Sequence, residues 1–465
     1  MWADLEGVCR ASSGGYRRFV WTAQDHTLRE WFAGECARRD LDLTEDRVGN
    51  QWAWWGDPDA AVAVGRPGVA IGSHLDSVPD GGAYDGPLGV VSAFAAIDAL
   101  RERGLAPAAP LAVVNFVDEE GARFGVACAG SRVLTGAMTA DRALALTDAD
   151  GLSMAEALTA AGRDPRRVGA DPEALRRVGS FVELHVEQGR GLVDLGQAVG
   201  LASDLWPHGR WRIDLPGEAN HAGTTAMGER RDAVISMAQV TLAARDLAIR
   251  HGCVATVGKV RITPGGVNAI ASHVTAWLDA RGSRPDTVSE VVAALTQTVE
   301  SLGGRIVQES WTPATPFDSV LTQRLGDVLS DVLGDRRIGS PGGKPPTVIE
   351  GLLMERAAAA GSGDTTDPVG SPPTISVPVL GTGAGHDAGI LASAGIPTAM
   401  LFVRNPTGVS HSPAEFAERA DCHAGVAALT GCIIDLTDAA PPNASTAGVA
   451  EARRQSSEPS QGARR

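Results

Sequence analysis

Val69-Ala70-Ile71-Gly72-Ser73-His74-Leu75-Asp76 is an apolar run that ends in two metal-ready side chains. It reads as a buried strand leading into His74. Residues 88–100 then form an apolar, alanine-rich helix, and residues 111–117 a second buried strand that ends at Asp118-Glu119-Glu120. Strand, helix and strand in this order predict a mostly parallel sheet covered on both faces. Such a sheet delivers side chains at its strand ends to one edge, so residues remote in sequence converge there.

The pattern repeats outward from this unit. Residues 181–186 are another buried strand, carrying Glu183-Leu184-His185, and Ser410-His411 is likewise expected at the end of an apolar strand. A helix is expected over 23–39, a strand over 375–380, a helix from about 386, a strand over 397–403 and a last helix over 413–436. Pro413 suits the first turn of that last helix. The middle of the chain differs. Residues 211–215, 254–262, 274–280 and 305–308 read as strands, and 231–250 and 289–302 as helices, with a turn at Pro264-Gly265-Gly266. That order, β-α-β-β-α-β, is the split βαβ, ferredoxin-like unit. The expected fold is therefore α/β. A large, mostly parallel α/β/α catalytic domain over 1–198 and 312–437 is interrupted by an inserted ferredoxin-like domain over 199–311. Residues 335–373 are rich in Gly, Pro, Ser and Thr, with a short helical patch over 348–360, and the polar tail 438–465 is expected to be disordered.

Composition narrows the function. At 465 residues the chain exceeds one ordinary core. A hydrophobic content of 43% and a charged content of 21% are those of a soluble globular protein. The net charge of −15 argues against nucleic acid or an anionic membrane as partner, since either wants a basic face. No stretch approaches the roughly 20 apolar residues of a membrane span. Met1-Trp2-Ala3-Asp4-Leu5-Glu6 lacks the basic and apolar regions of a secretory signal. The six cysteines are scattered without a CxxC pair, so a cytoplasmic chain with reduced thiols is expected.

The chemistry lies in a few short segments. His74 and Asp76 project to the same side of an extended segment. This suits a histidine ligand whose tautomer an acidic neighbour fixes. The glycine-rich loop Pro79-Asp80-Gly81-Gly82-Ala83-Tyr84-Asp85-Gly86-Pro87 lets Asp85 turn back as a bridging carboxylate. Glu119 and Glu120 leave the chain on opposite sides, so one can bind metal while the other serves as a base. With His185 and His411 added, a hydrolytic metal enzyme is the leading expectation.

These segments resemble the M20-type metallopeptidase and amidohydrolase superfamily. Within it they are most similar to the branch of N-carbamoyl-L-amino-acid hydrolases, allantoate amidohydrolases and β-ureidopropionases. The resemblance rests on Gly72-Ser73-His74-Leu75-Asp76-Ser77-Val78-Pro79, Gly81-Gly82-Ala83-Tyr84-Asp85-Gly86, Asp118-Glu119-Glu120-Gly121-Ala122-Arg123-Phe124 and Glu183-Leu184-His185-Val186-Glu187-Gln188-Gly189. It continues through Asn220-His221-Ala222-Gly223-Thr224-Thr225, Gly383-Ala384-Gly385-His386-Asp387-Ala388 and Gly408-Val409-Ser410-His411, in the family's order. Ala226 stands where relatives usually have Pro, and Asn268-Ala269-Ile270-Ala271 lacks a Pro common after Asn-x-Ile; neither change removes a chemical group.

The resemblance implies two divalent ions (Mn, Zn, Co or Ni), with His74 and His185 on one, Glu120 and His411 on the other, and Asp85 between them. It implies Glu119 as general base and Gln188 and His386 near the scissile amide. His221, Asn268 and Arg281 of the inserted domain would grip the substrate, with Arg210 a further candidate; the oxyanion would be stabilised by metal and by His221 or His386, which gives His221 a catalytic part as well. It also implies a homodimer in which the inserted domain dimerises and its histidine reaches the partner's site. Arg281 can clamp a carboxylate bidentately, and Asn268 offers both a donor and an acceptor. Glu187-Gln188-Gly189 favours a ureido acid over a dipeptide, because a primary amide can read a urea. Trp206-Pro207-His208-Gly209-Arg210 places polar groups before the inserted domain's first strand, which leans the reading toward allantoate. N-carbamoyl-L-amino acids, β-ureidopropionate, peptides and a catalytically dead relative remain the alternatives.

Overall fold

The computed structural model describes residues 1–334 and 377–441. The stretch 335–373, its helical patch, the first part of the strand expected over 375–380 and the tail beyond 441 lie outside the described residues. The strands in chain order are β1 (Asp42–Glu45), β2 (Gln51–Trp55), β3 (Gly68–His74), β4 (Leu111–Phe116), β5 (Val178–Val186) and β6 (Val199–Leu205). They continue with β7 (His208–Pro216), β8 (Val254–Thr263), β9 (His273–Arg281), β10 (Arg305–Thr312), β11 (Thr315–Pro316), β12 (Val379–Thr382) and β13 (Thr398–Val403). The chain divides into two units, one of Met1–Leu201, Asp318–Val379 and His386–Arg465, the other of Ala202–Phe317 and Leu380–Gly385.

In the larger unit, apolar strands pair in parallel in the order β4-β3-β5-β13. β3, β4 and β13 are buried along their whole length, as strands covered on both faces are. Alternation along β5 separates its two faces. Val182, Leu184 and Val186 join the core with Val90, Phe94 and Ile97 of the helix Pro87–Glu102. Glu183 and His185 therefore point the other way, where the backbone N–H of Ala388, in the helix Asp387–Ser393, donates to Glu183 Oε2 at 3.0 Å. Helices Ala23–Arg38, Ser319–Gly334 and Arg419–Thr437 supply Leu28, Phe32, Leu325, Leu329, Ala428 and Ile433 to the first core.

The sheet is parallel only at its centre. β1, β2 and β6 run antiparallel at its edges, and the sequence reading omitted them. β1 is exposed at every residue and offers no hydrophobic alternation. The turn before β2 is held by a buried side chain: the Asp46 carboxylate accepts the backbone N–H groups of Val48, Gly49 and Asn50, the Asn50 amide and the Trp52 indole N–H. The last helix starts at Arg419 and not at Pro413. Residues 413–418 stay irregular because Glu415 turns inward to bind the loop that carries Asp85. Within the tail expected from 438 on, Ala440 exchanges backbone hydrogen bonds with Ala106.

The smaller unit is a four-stranded antiparallel sheet in the order β10-β7-β9-β8. Its helices Ala233–His251 and Pro285–Ser301 close a second core around Ile213, Leu215, Val240, Val274, Val288 and Leu295. This strand order is that of the ferredoxin-like unit. Among the described residues, no helix is long and apolar enough to cross a membrane.

Candidate functional site

Parallel pairing aligns the carboxyl ends of β3, β4 and β5, the edge where open α/β sheets bind ligands. His74 is the last residue of β3, His185 the penultimate residue of β5, and Asp118-Glu119-Glu120 follows the end of β4. His411 does not close a strand as expected. β13 stops at Val403, and His411 lies eight residues on, in a loop, at a φ of +55°. Asn405 shapes that loop: its side-chain oxygen accepts N–H from Thr407 and Gly408, and its amide donates to the Val409 carbonyl. Local hydrogen bonding, not a strand, delivers this histidine.

Within the larger unit, two groups of potential ligands share Asp85: His74 with His185, and Glu120 with His411. In each group the ligand atoms lie within 4.8 Å of one another. Asp85 Oδ1 lies 3.2 Å from His185 Nε2 and 3.8 Å from His74 Nε2. Its other oxygen, Oδ2, lies 3.3 Å from His411 Nε2, which is 3.5 Å from Glu120 Oε2. One carboxylate thus presents one oxygen to each group. His185 Nδ1 is held by the Val186 carbonyl at 2.9 Å, and His74 Nδ1 by the Asp76 carbonyl at 3.2 Å. Both rings therefore aim Nε2 inward, and neither Nε2 has a hydrogen-bond partner; Glu120 Oε1 is also buried without one. Imidazole nitrogens and carboxylate oxygens left open in this way fit a divalent metal.

Asp76 does more than orient His74. Its two oxygens accept the backbone N–H groups of Glu119 and Glu120, at 3.2 and 3.1 Å, and so tie the β3 and β4 ends together. Glu119 Oε2 reaches within 3.7 Å of His74 Nε2. Burial, reinforced by the charges of Glu120 and Asp387, holds the Glu119 carboxyl well above its usual range. Burial and the nearby Asp85 raise Glu120 to about 7. Burial opposes protonation of His74, but Glu119 and Asp76 outweigh it and hold the ring well above its ordinary value. Buried carboxylates crowded in this way call for a compensating cation.

The remaining sequence candidates divide. Gln188 Nε2 donates to Asp85 Oδ2 at 3.0 Å and to Ser410 Oγ at 3.1 Å, while its Oε1 is buried with no partner. The His386 ring stands 4.6 Å from that of His185, with its Nε2 unpartnered. His221, Asn268, Arg210 and Arg281 belong to the smaller unit, but the structure does not gather them at one point. His221 and Asn268 adjoin through backbone pairing at the His273 end of β9. Arg210 and Arg281 flank Asp279 near its other end. The eight residue steps between His273 and Arg281 span roughly 26 Å of extended chain. Nor is the Arg281 fork free. Its Nε and Nη2 donate to Asp279 at 2.7 and 3.0 Å, and its Nη1 to the Gly383 carbonyl at 2.7 Å.

Sequence reasoning passed over Asp279, Glu415 and Ser131, and gave no role to Glu183 or to Asp387, whose carboxylate lies 2.5 Å from the buried Ser131 hydroxyl. The one signal for Asp279 was its place two residues before Arg281 on the same strand face. A cleft of about 760 Å³ lined by Trp21, Arg29, Glu45 and Arg163 contains none of the potential ligands, and both arginines are already paired with Glu45. Cavity size therefore does not locate the chemistry here; the ligand groups do.

Comparison with known proteins agrees with this geometry. Residues 70–435 match the model of peptidase family M20/M25/M40. An N-carbamoyl-L-amino acid amidohydrolase of Geobacillus stearothermophilus is 34% identical over 92% of this chain and 94% of its own length. An allantoate amidohydrolase of Escherichia coli is 30% identical over 91% of this chain and 93% of its own. The crystal structure of a hydantoinase/carbamoylase family amidase from Burkholderia ambifaria superposes with a TM-score of 0.71 at 30% identity, covering 94% of this chain and 96% of that one. The chain belongs to the M20/M25/M40 peptidase family, beside its hydantoinase/carbamoylase amidohydrolases.

Proposed function

We propose that the protein hydrolyses the ureido C–N bond of a small ureido acid at a site holding two divalent ions. The preferred substrate in this reading is allantoate, converted to ureidoglycine, ammonia and CO2. The observation that carries the reading is Asp85, with Oδ1 toward His74 and His185 and Oδ2 toward His411. His74, His185, Asp85, Glu120 and His411 would hold the ions, which supply a polarised carbonyl and a more acidic water when bound. Glu119 takes the proton of the attacking water and returns it to the leaving nitrogen. Its raised affinity for a proton suits the second half of that task. Gln188 Oε1 is an open acceptor for a ureido N–H, since its nitrogen is already engaged.

In this reading Arg281 receives the substrate carboxylate, and Asp279 holds the guanidinium in place. His221 and Asn268 are too far along β9 to touch the same small molecule within one unit, which supports a homodimer in which they serve a second copy. An N-carbamoyl-L-amino acid is the second reading, favoured by the higher identity to the Geobacillus relative.

The test is ammonia release by manganese-reconstituted protein from allantoate and N-carbamoyl-L-amino acids, with release of free amino acids from dipeptides measured side by side. Release from allantoate alone supports the first reading, and release from carbamoyl amino acids alone moves it to the second. Turnover confined to dipeptides overturns both. Glu119→Gln should lower kcat by about 10²–10⁴ with metal content intact; unchanged turnover removes Glu119 as the base.

A further inference from the structure

Glu415 has no part in the chemistry above, yet it is only 4% exposed, and its side-chain hydrogen bonds all go to Asp85 or to the residues beside Asp85 and His411. Its Oε1 accepts the backbone N–H groups of Tyr84 and Asp85, both at 2.9 Å. Its Oε2 lies 3.1 Å from the Ser410 hydroxyl, which is also 3.3 Å from Asp85 Oδ2. The carboxylate therefore joins two loops, one carrying Asp85 and the other carrying Ser410 and His411. The sequence makes room for it at Gly82, where an added Cβ would stand 2.2 Å from Glu415 Oε1.

The two ligand groups do not need this support equally. His74 and His185 sit on strands and are fixed by the sheet. On the other side, Asp85 and His411 both come from loops. We propose that Glu415 is a positioning residue that clips these two loops together and thereby sets the geometry of the Asp85–Glu120–His411 ion site. The inference rests on the two-ion reading given above.

The test uses the full chain as wild type, Glu415→Ala, Glu415→Gln and Gly82→Ala. Manganese stoichiometry and affinity are read by equilibrium dialysis with elemental analysis, and kcat and KM are measured alongside. Wild type should bind two equivalents. Glu415→Ala should weaken one of them by about 10–100-fold, the usual effect of removing a group that orients a ligand, with kcat reduced and KM little changed. Glu415→Gln keeps an oxygen for the two backbone N–H groups and an amide for Ser410, so it should stay within about threefold of wild type by that same orienting argument. Gly82→Ala displaces the Glu415 side chain without altering it, and should reproduce the alanine variant even if Glu415→Ala fails to fold.

Wild-type affinities in Glu415→Ala or Gly82→Ala overturn the proposal. Equal damage from glutamine and alanine also overturns it, because charge and not seating would then be what matters. Binding of a single equivalent by wild type instead refutes the two-ion reading. The Glu415 proposal then fails as stated, whatever the variants do to that one ion.

Discussion

Gly86→Ala is the change that most directly probes how the backbone holds the metal ligands. Gly86 sits at φ +82° and ψ −58°, between Asp85 and the helix that starts at Pro87. A Cβ built there stands 2.4 to 2.6 Å from three atoms of the His74 ring. Alanine at such a backbone angle costs about 1–3 kcal/mol. Overpacking against a fixed side chain adds about 1–3 kcal/mol, and His74 cannot step aside because it is fully buried at the end of β3. A loss of about 2–6 kcal/mol should lower Tm by about 4–24 °C, at roughly 2–4 °C per kcal/mol for a domain of 150–250 residues. Because the methyl group strikes a ligand, manganese affinity should fall by about 10–100-fold as well.

Gly104→Ala is the control. Gly104 also has a positive φ, +67°, but nothing lies within 4 Å of an added Cβ. It should show only the backbone cost, about 1–2 kcal/mol, with metal binding unchanged. The assays are thermal unfolding and metal titration of both variants. If Gly86→Ala binds manganese as wild type does, or if the two variants behave alike, the argument that Gly86 exists to admit the His74 ring is wrong.

Three further outcomes can be measured. Asp279→Ala frees the Arg281 fork from its present partner and should raise KM without changing metal content, as should Arg281→Ala; wild-type KM in both would remove Arg281 as the carboxylate receptor. Burial works against ionisation of Glu35, but hydrogen bonds from Arg38 and Arg39 outweigh it and hold the carboxyl below its ordinary value. This contribution is present above the unfolded pKa of about 4.3 and lost as pH falls through the lower folded value, so Glu35→Gln should flatten the acid limb of a Tm-versus-pH curve; parallel curves would count against it. Chelation should lower the Tm of metal-loaded protein by the equivalent of about 2.7 kcal/mol when the ion had stood at 100 times its Kd. An unmoved Tm would mean that the ions do not help hold the larger unit together.

The legible parts of the fold were those written as hydrophobic period. β3, β4 and β13 are continuous apolar runs, and the helices Pro87–Glu102 and Ala233–His251 carry their apolar stripes openly. The illegible parts were stabilised by polar contacts remote in sequence. β1 has no buried residue and exists because β2 pairs with it. The irregular stretch before Arg419 looked helical because its sequence is compatible with a helix. What prevents one is a carboxylate 330 residues from the backbone N–H of Asp85 that it binds.

The site was legible in its ligands and not in what holds them. His74 and His185 lie at strand ends and Glu120 just after one, but Asp85 and His411 come from loops, so it is the combination of these groups that carries the signal. Of their supports, Glu415 and Glu183 act on groups remote in sequence, the Asp85 backbone and the Ser73 hydroxyl, while Asp279 acts on Arg281 two residues along the same strand. The same limit explains the substrate grips. Motif order says that His221, Asn268, Arg210 and Arg281 all belong to one unit, but only the register of β7 and β9 reveals that they sit at opposite ends of it. A sequence motif records which groups a reaction needs, whereas strand register decides which of them can meet within one molecule. In the reading proposed above, the span of β9 is the reason a second copy of the chain would complete the site.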